Sequence, residues 1–202
     1  DRVVASASMF SSCHVVLTEF LPKWGVTTEL VKGNSKADWE AALSKPTKAV
    51  FIETPSNPLM DIVDIKMVSE LAHKVGAIVV VDNVMASVVS QKPITLGADV
   101  VMYSTTKHID GQGRVLGGAI LGSNEYFTKY LLPFNRHTGP SMSAFNAWVL
   151  VKSLETIHMR VKAMCESALK IAEFLESNKK IELVRYPGLK SHPHYEVAMK
   201  QQ

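Results

Sequence analysis

Short apolar runs alternate along the chain with stretches whose apolar residues recur at helical spacing. Ile78-Val79-Val80-Val81-Asp82 is the clearest run. Four branched apolar residues in succession, without alternation, predict a strand buried on both faces, as in a parallel sheet covered by helices. Ala49-Val50-Phe51-Ile52-Glu53 is a second run bounded by turn residues, and its length and branched content favour strand over helix. Between the two, Ile65, Val68, Leu71, Ala72 and Val75 make a helical stripe, with Asp64 placed to cap its start and Gly76 its end. Strand, loop, helix, strand is a βαβ unit, for which a right-handed crossover is the strong rule. Residues 3–6 read as the end of an earlier strand, Thr27 to Val31 as a short one, and Gly97 to Ser104 and Gly117 to Gly122 as two more.

The remaining periodic stretches predict helices. Met9 to Trp24 reads as one helix, with Phe10, Cys13, Val16, Leu17, Phe20 and Leu21 on its apolar face and Pro22 and Gly25 ending it. Asp38 to Leu43 predicts one or two turns, and Asn124 to Leu132 a further helix. From Ser143 to about Ser177, Leu150, Leu154, Ile157, Val161, Met164, Ala168, Ile171 and Leu175 predict a single long helix. Its length suits a connector between domains, which divides the chain into residues 1–158 and 159–202. Ile181 to Arg185 reads as a strand turned by Tyr186-Pro187-Gly188. The fold class implied is α/β with a mostly parallel sheet between helical layers.

Composition narrows the function classes. The 202 residues are 47% apolar and 20% charged, with a net charge of +3, as in an ordinary globular protein. The lysines and arginines are scattered, which predicts no nucleic-acid surface. No apolar run reaches the roughly 18 to 20 residues of a membrane span. Asp1-Arg2-Val3-Val4 lacks the layout of a signal peptide. The chain opens inside a strand-like run and stops at Met199-Lys200-Gln201-Gln202, so both ends read as cuts in a longer protein. Cys13 and Cys165 lie far apart without Cys-x-x-Cys spacing, as expected of reduced thiols in a cytoplasmic protein. His192-Pro193-His194 has no further ligand nearby in sequence, and no metal site is expected.

The candidate chemistry sits at strand ends, where open parallel sheets bind ligands. Asn57, Asp82, Ser104, Thr106 and Lys107 all fall just past predicted strands. Each has an ordinary alternative: Lys107 as a solvated surface charge, Asp82 as a capping or turn residue, Asn57 as a turn residue between prolines, Ser104 and Thr106 as hydroxyls closing a turn. Taken together, a lysine, an acidic residue, short hydroxyl donors and a polar loop are the parts a pyridoxal phosphate site requires. Gly111-Gln112-Gly113 with Gly117-Gly118 misses the spacing of a dinucleotide loop and precedes a strand instead of a helix. His137, Ser141 and Ser143 come without the G-x-S-x-G elbow of a hydrolase.

At these residues the sequence resembles the pyridoxal-phosphate enzymes of cysteine and methionine metabolism, of the cystathionine γ-synthase and γ-lyase type. The resemblance is carried by Glu53-Thr54-Pro55-Ser56-Asn57-Pro58, Val80-Val81-Asp82-Asn83, Ser104-Thr105-Thr106-Lys107-His108 and Ser143-Ala144-Phe145-Asn146-Ala147-Trp148. Tyr186-Pro187-Gly188-Leu189 with Ser191-His192-Pro193 looks like the start of that family's small domain. The resemblance implies a three-layer large domain of the aminotransferase type. It implies a Schiff-base lysine at Lys107, a pyridinium partner at Asp82, phosphate contacts from Ser104 and Thr106, and a cofactor or substrate contact from Asn57. Phe10 falls where many members place a tyrosine that stacks on the cofactor; phenylalanine keeps the stacking and loses the hydroxyl. That change, with Lys107 to Gly118, looks most like the O-succinylhomoserine sulfhydrylase branch. The expected activity is γ-replacement on an O-acylhomoserine in methionine biosynthesis, in a cytoplasmic homotetramer built as a dimer of dimers. A cystathionine γ-synthase or γ-lyase, or a cystathionine- or methionine-cleaving relative, is the alternative. Family members are about twice this length. A truncated remnant without cofactor is therefore the rival from another class.

Overall fold

One six-stranded sheet carries the chain. In the computed structural model, which describes residues 1–202, its strands are β1 (Arg2–Ser6), β2 (Thr27–Val31), β3 (Ala49–Glu53), β4 (Ile78–Asp82), β5 (Val100–Ser104) and β6 (Gly118–Gly122). Their order is β2-β1-β3-β4-β5-β6. The first five are parallel and β6 runs antiparallel to β5. Between and after them lie α1 (Ser11–Val15), α2 (Lys36–Ala42), α3 (Ile65–Lys74), α4 (Ser87–Ser90), α5 (Asn124–Tyr126), α6 (Leu132–Thr138), α7 (Ala144–Leu154), α8 (Ile157–Ser177) and α9 (Tyr195–Gln201). From β1 the chain steps outward to β2, then returns past β1 to β3 and continues the other way. The β1–β3 boundary is thus the point where the winding direction reverses.

Local chemistry sets the helix ends. Asp64 accepts from the Met67 amide at 2.9 Å and starts α3. Ser35 and Asp38 form a reciprocal capping box at α2. Gly97 precedes β5 with φ +102°, and a Cβ there would lie 2.9 Å from the Ser69 Cβ, so only glycine fits.

Strand alternation splits the apolar residues between two unequal layers. Val4, Val50, Ile52, Val79, Val81, Val101 and Tyr103 face the larger core, with Trp39 of α2, Val68 and Ala72 of α3, Leu150 of α7 and Val161 of α8. On the other face Ala5, Leu30 and Phe51 meet Met9, Cys13, Leu17 and Leu21. That cover reaches only β1, β2 and β3. Val80 is therefore half-buried although its run predicts burial on both faces, and Ile120 of β6 is 54% exposed.

Other sequence expectations change as well. The stretch read as one helix from Met9 begins at Ser11, with Phe10 as its N-cap, and changes pitch through a π segment, Val16–Phe20, and a 3-10 segment, Leu21–Trp24. Pro22, without an amide hydrogen, sits in the first turn of the 3-10 segment, where that loss costs least. The long helix from Ser143 is two, because Thr156 leaves helical geometry at φ −114°, ψ 2° between α7 and α8. The apolar stripe crosses the break unaltered, which is why periodicity did not reveal it. Residues 181–185 have the composition of a strand but no neighbouring strand to pair with, and they form none. Replacing Ile52, fully buried in β3, by alanine is expected to cost about 2–5 kcal/mol in urea unfolding of the full-length protein.

Candidate functional site

In-register parallel pairing aligns the carboxyl ends of β3, β4 and β5. Glu53 pairs with Asp82, and Asp82 with Met102, two residues before Ser104. Alternation then puts Glu53, Asp82, Met102 and Ser104 on one face, the thinly covered one. Phe10 follows β1, Asn57 follows β3, and Thr106 and Lys107 follow β5. The six residues singled out from sequence therefore lie at one edge of the sheet.

Asp82 is 6% exposed, and its carboxylate accepts one hydrogen bond, from the Val84 amide at 3.0 Å. No ion pair in the structure includes it. Burial raises its pKa, with the Val84 amide opposing. A buried carboxylate without a cation is costly, so this position asks for a partner that carries positive charge. Lys107 is exposed, and its ammonium has neither an ion pair nor a hydrogen bond to protein. The Ser104 hydroxyl has no protein partner, whereas the Thr106 hydroxyl accepts from the Gly117 amide at 3.1 Å and donates to the Gly117 carbonyl at 3.4 Å, closing the turn. These groups fit pyridoxal phosphate: a cationic ring nitrogen for Asp82, a carbonyl carbon for Lys107 and phosphate oxygens for free donors.

Glu53, part of a sequence motif but not singled out as a site residue, holds this edge together. Its carboxylate accepts from the Phe10 amide at 2.5 Å and the Asn57 amide at 2.7 Å. It thereby joins the segment after β1 to the loop after β3, across the reversal point of the sheet. Burial pushes its pKa up to about 7, with the Asp82 charge adding to the rise and the two amides opposing it. Burial and the charges of Asp82 and Glu53 likewise push the Cys13 thiol up to about 11, which leaves it protonated and unreactive near neutrality.

Two buried networks back the edge. The Asn83 amide group lies 2.8 Å from the Tyr103 hydroxyl and 2.9 Å from the Ser87 carbonyl. Gln91 donates to Asn83 Oδ1 at 2.7 Å and to the Thr54 carbonyl at 2.8 Å, linking the end of β4 to the loop after β3. Past Lys107, Asp110 is fully buried and accepts from the amide and Nε of Arg114 at 2.7 and 2.9 Å. Burial would raise the Asp110 pKa, but its hydrogen bonds from Arg114 and that residue's charge hold it below the usual range. The Asn57 loop is also held from outside: His192 Nε2 lies 3.1 Å from the Met60 carbonyl, Arg185 pairs with Asp61 at 3.0 Å, and Gln201 donates to the Val63 carbonyl at 3.0 Å. None of these last three partners follows from local spacing, since each joins residues far apart in the chain.

The model of the Cys/Met metabolism PLP-dependent enzymes matches residues 1–202. The O-succinylhomoserine sulfhydrylase of Mycobacterium tuberculosis is 58% identical over 201 residues, covering 100% of this chain and 50% of that protein. The O-succinylhomoserine sulfhydrylase of Pseudomonas aeruginosa is 44% identical over 202 residues, with the same coverage. The crystal structure of cystathionine gamma synthase from Xanthomonas oryzae pv. oryzae superposes with a TM-score of 0.95 at 34% identity, covering 100% of this chain and 52% of that one. The chain spans about half the length of the relatives it matches. No helix is long and apolar enough to cross a membrane.

The raised Glu53 pKa gives a pH prediction. The native carboxyl binds its proton more tightly than the unfolded one, so its contribution to stability is present below about 4.5 and is lost as pH rises through about 7. In the apo full-length protein, Glu53→Gln is expected to remove about 2–4 kcal/mol of that decline between pH 4.5 and 8 in urea unfolding. An unchanged slope contradicts the assignment.

Proposed function

Because this chain belongs to the Cys/Met metabolism PLP-dependent enzymes, we propose that the full-length protein is an O-succinylhomoserine sulfhydrylase. It exchanges the succinyl ester of O-succinylhomoserine for sulfide and forms homocysteine. The observation that carries the reading is the pairing of opposites at one sheet edge: a buried carboxylate without a cation at Asp82 and an unpartnered amine at Lys107. The identity to sulfhydrylases at 58% and 44% across the whole chain supports this branch.

In this reading Lys107 would hold pyridoxal phosphate through its ε-amino group. Asp82 would keep the ring nitrogen protonated, Ser104 and, on giving up its long 3.4 Å contact with the Gly117 carbonyl, Thr106 would bind phosphate oxygens, Phe10 would stack on the ring and Asn57 would donate to its phenolic oxygen. The bound cofactor supplies an electron sink for the pair left at the substrate Cα. The Lys107 amine would take the Cα proton and move protons at Cβ. At Cγ the C–O bond breaks, its electron pair leaves with succinate, and the new C–S bond forms from hydrosulfide. Phe10 has no hydroxyl, so proton transfer falls to Lys107 alone among these side chains. A cytoplasmic homotetramer, with residues 159–202 opening a second domain, completes the proposal.

Cystathionine γ-synthase is the second reading, favoured by the superposition on that enzyme. The two differ in the thiol accepted. The full-length protein, given O-succinylhomoserine and sulfide, is expected to release homocysteine and succinate, with cysteine at least about tenfold poorer in kcat/KM. Lys107→Ala is expected to reduce turnover by about a thousandfold or more. Normal turnover in that variant contradicts the proposal, and a preference for cysteine assigns the synthase instead.

A further inference from the structure

Arg160 stands in the first turn of α8 and reaches back over the turn that carries Lys107. Its Nη1 donates to the His108 carbonyl at 2.9 Å and its Nη2 to the Ile109 carbonyl at 3.1 Å. Nη2 also donates to the Ser153 carbonyl at 2.9 Å, and Nε to the Thr156 hydroxyl at 3.1 Å. No carboxylate pairs with this guanidinium. Its donors are committed to main-chain carbonyls and one hydroxyl, a use the planar fork permits and a lysine ammonium does not.

The two carbonyls are those of the two residues that follow Lys107, and Arg160 is the only protein donor to either. The rest of the turn is held internally. The Lys107 amide donates to the Ser104 carbonyl at 3.2 Å, the Asp110 amide to Thr105 at 2.9 Å and the Gly111 amide to Lys107 at 2.7 Å. Gly111 has φ +73°, and a Cβ at that position would lie 2.0 Å from Arg160 Nη1. The glycine therefore serves two needs, a left-handed turn and room for the guanidinium. The break at Thr156 directs the start of α8, and with it Arg160, toward this turn.

We infer that Arg160 is a positioning residue for Lys107, fixing the turn after β5 so that the ε-amino group has one approach to the cofactor. The inference rests on Lys107 being the cofactor lysine. It makes the α7–α8 junction at Thr156, 49 positions after Lys107, a determinant of how the lysine is presented.

The test uses the full-length protein with Arg160→Ala, Arg160→Lys, Gly111→Ala and a Lys107→Ala control. Hydrogen exchange of the apo protein reads the amides of residues 105–111, and the pH midpoint of the visible absorbance reads the lysine-bound cofactor. Both Arg160 variants are expected to lose protection over 105–111 by about tenfold or more, while β3 and β4 keep theirs. Both are also expected to shift the absorbance midpoint. Gly111→Ala, which expels the guanidinium from the other side, is expected to do the same. Arg160→Lys keeps the charge and loses the fork, so wild-type exchange and midpoint in that variant overturn the inference, even where Arg160→Ala does not fold. A visible band that survives in Lys107→Ala removes the premise and the inference with it. A band that needs Lys107 but ignores Arg160→Lys overturns the inference alone.

Discussion

Parallel register is the constraint from which the candidate site follows. Each strand of β1, β3, β4 and β5 ends at the same edge, so residues distant in sequence meet without direct side-chain recognition among them. Glu53 opposite Asp82, and Asp82 opposite Met102, are consequences of backbone pairing alone. A register slip of one residue would turn Asp82 toward the larger core and Val81 toward the edge. The apolar alternation of Val79 and Val81 against Val50 and Ile52 opposes that slip, so packing on one face specifies the chemistry on the other.

The edge concentrates negative charge. Glu53 and Asp82 are both buried, both have raised pKa values, and neither has a cationic side chain within ion-pair distance. Glu53 spends its acceptors on two main-chain amides, which fix where Phe10 and Asn57 begin. Asp82 keeps its charge largely unanswered. Burial of this kind tunes a carboxylate for a bound cation at the expense of the empty fold, a frequent trade at functional sites.

Much of this was legible in the sequence because it depends on local patterns. The unbroken apolar runs marked β3 and β4, and the change from strand to helical spacing marked the βαβ unit between them. Phe10, Asn57, Asp82, Ser104, Thr106 and Lys107 all fell at one edge because strand ends are readable and parallel sheets gather them. Less legible were features set by partners far along the chain. The roles of Glu53, Asn83, Gln91 and Arg160 come from bonds across loops and layers, where spacing carries no signal. The break at Thr156 was hidden because the apolar stripe continues through it. Residues 181–185 show the converse: a strand-like composition without a strand to pair with. Val80 shows that a run can promise two covered faces when helices cover only one of them fully.

The central claim is that Lys107 and Asp82 are the two poles of one pyridoxal phosphate site. Borohydride reduction of the full-length holoprotein, followed by peptide mass mapping, tests it most directly. A single reduced cofactor adduct on Lys107, reduced in yield when Asp82 is replaced by alanine, is the result this account predicts. An adduct on another lysine, or labelling spread evenly over surface lysines, would contradict it.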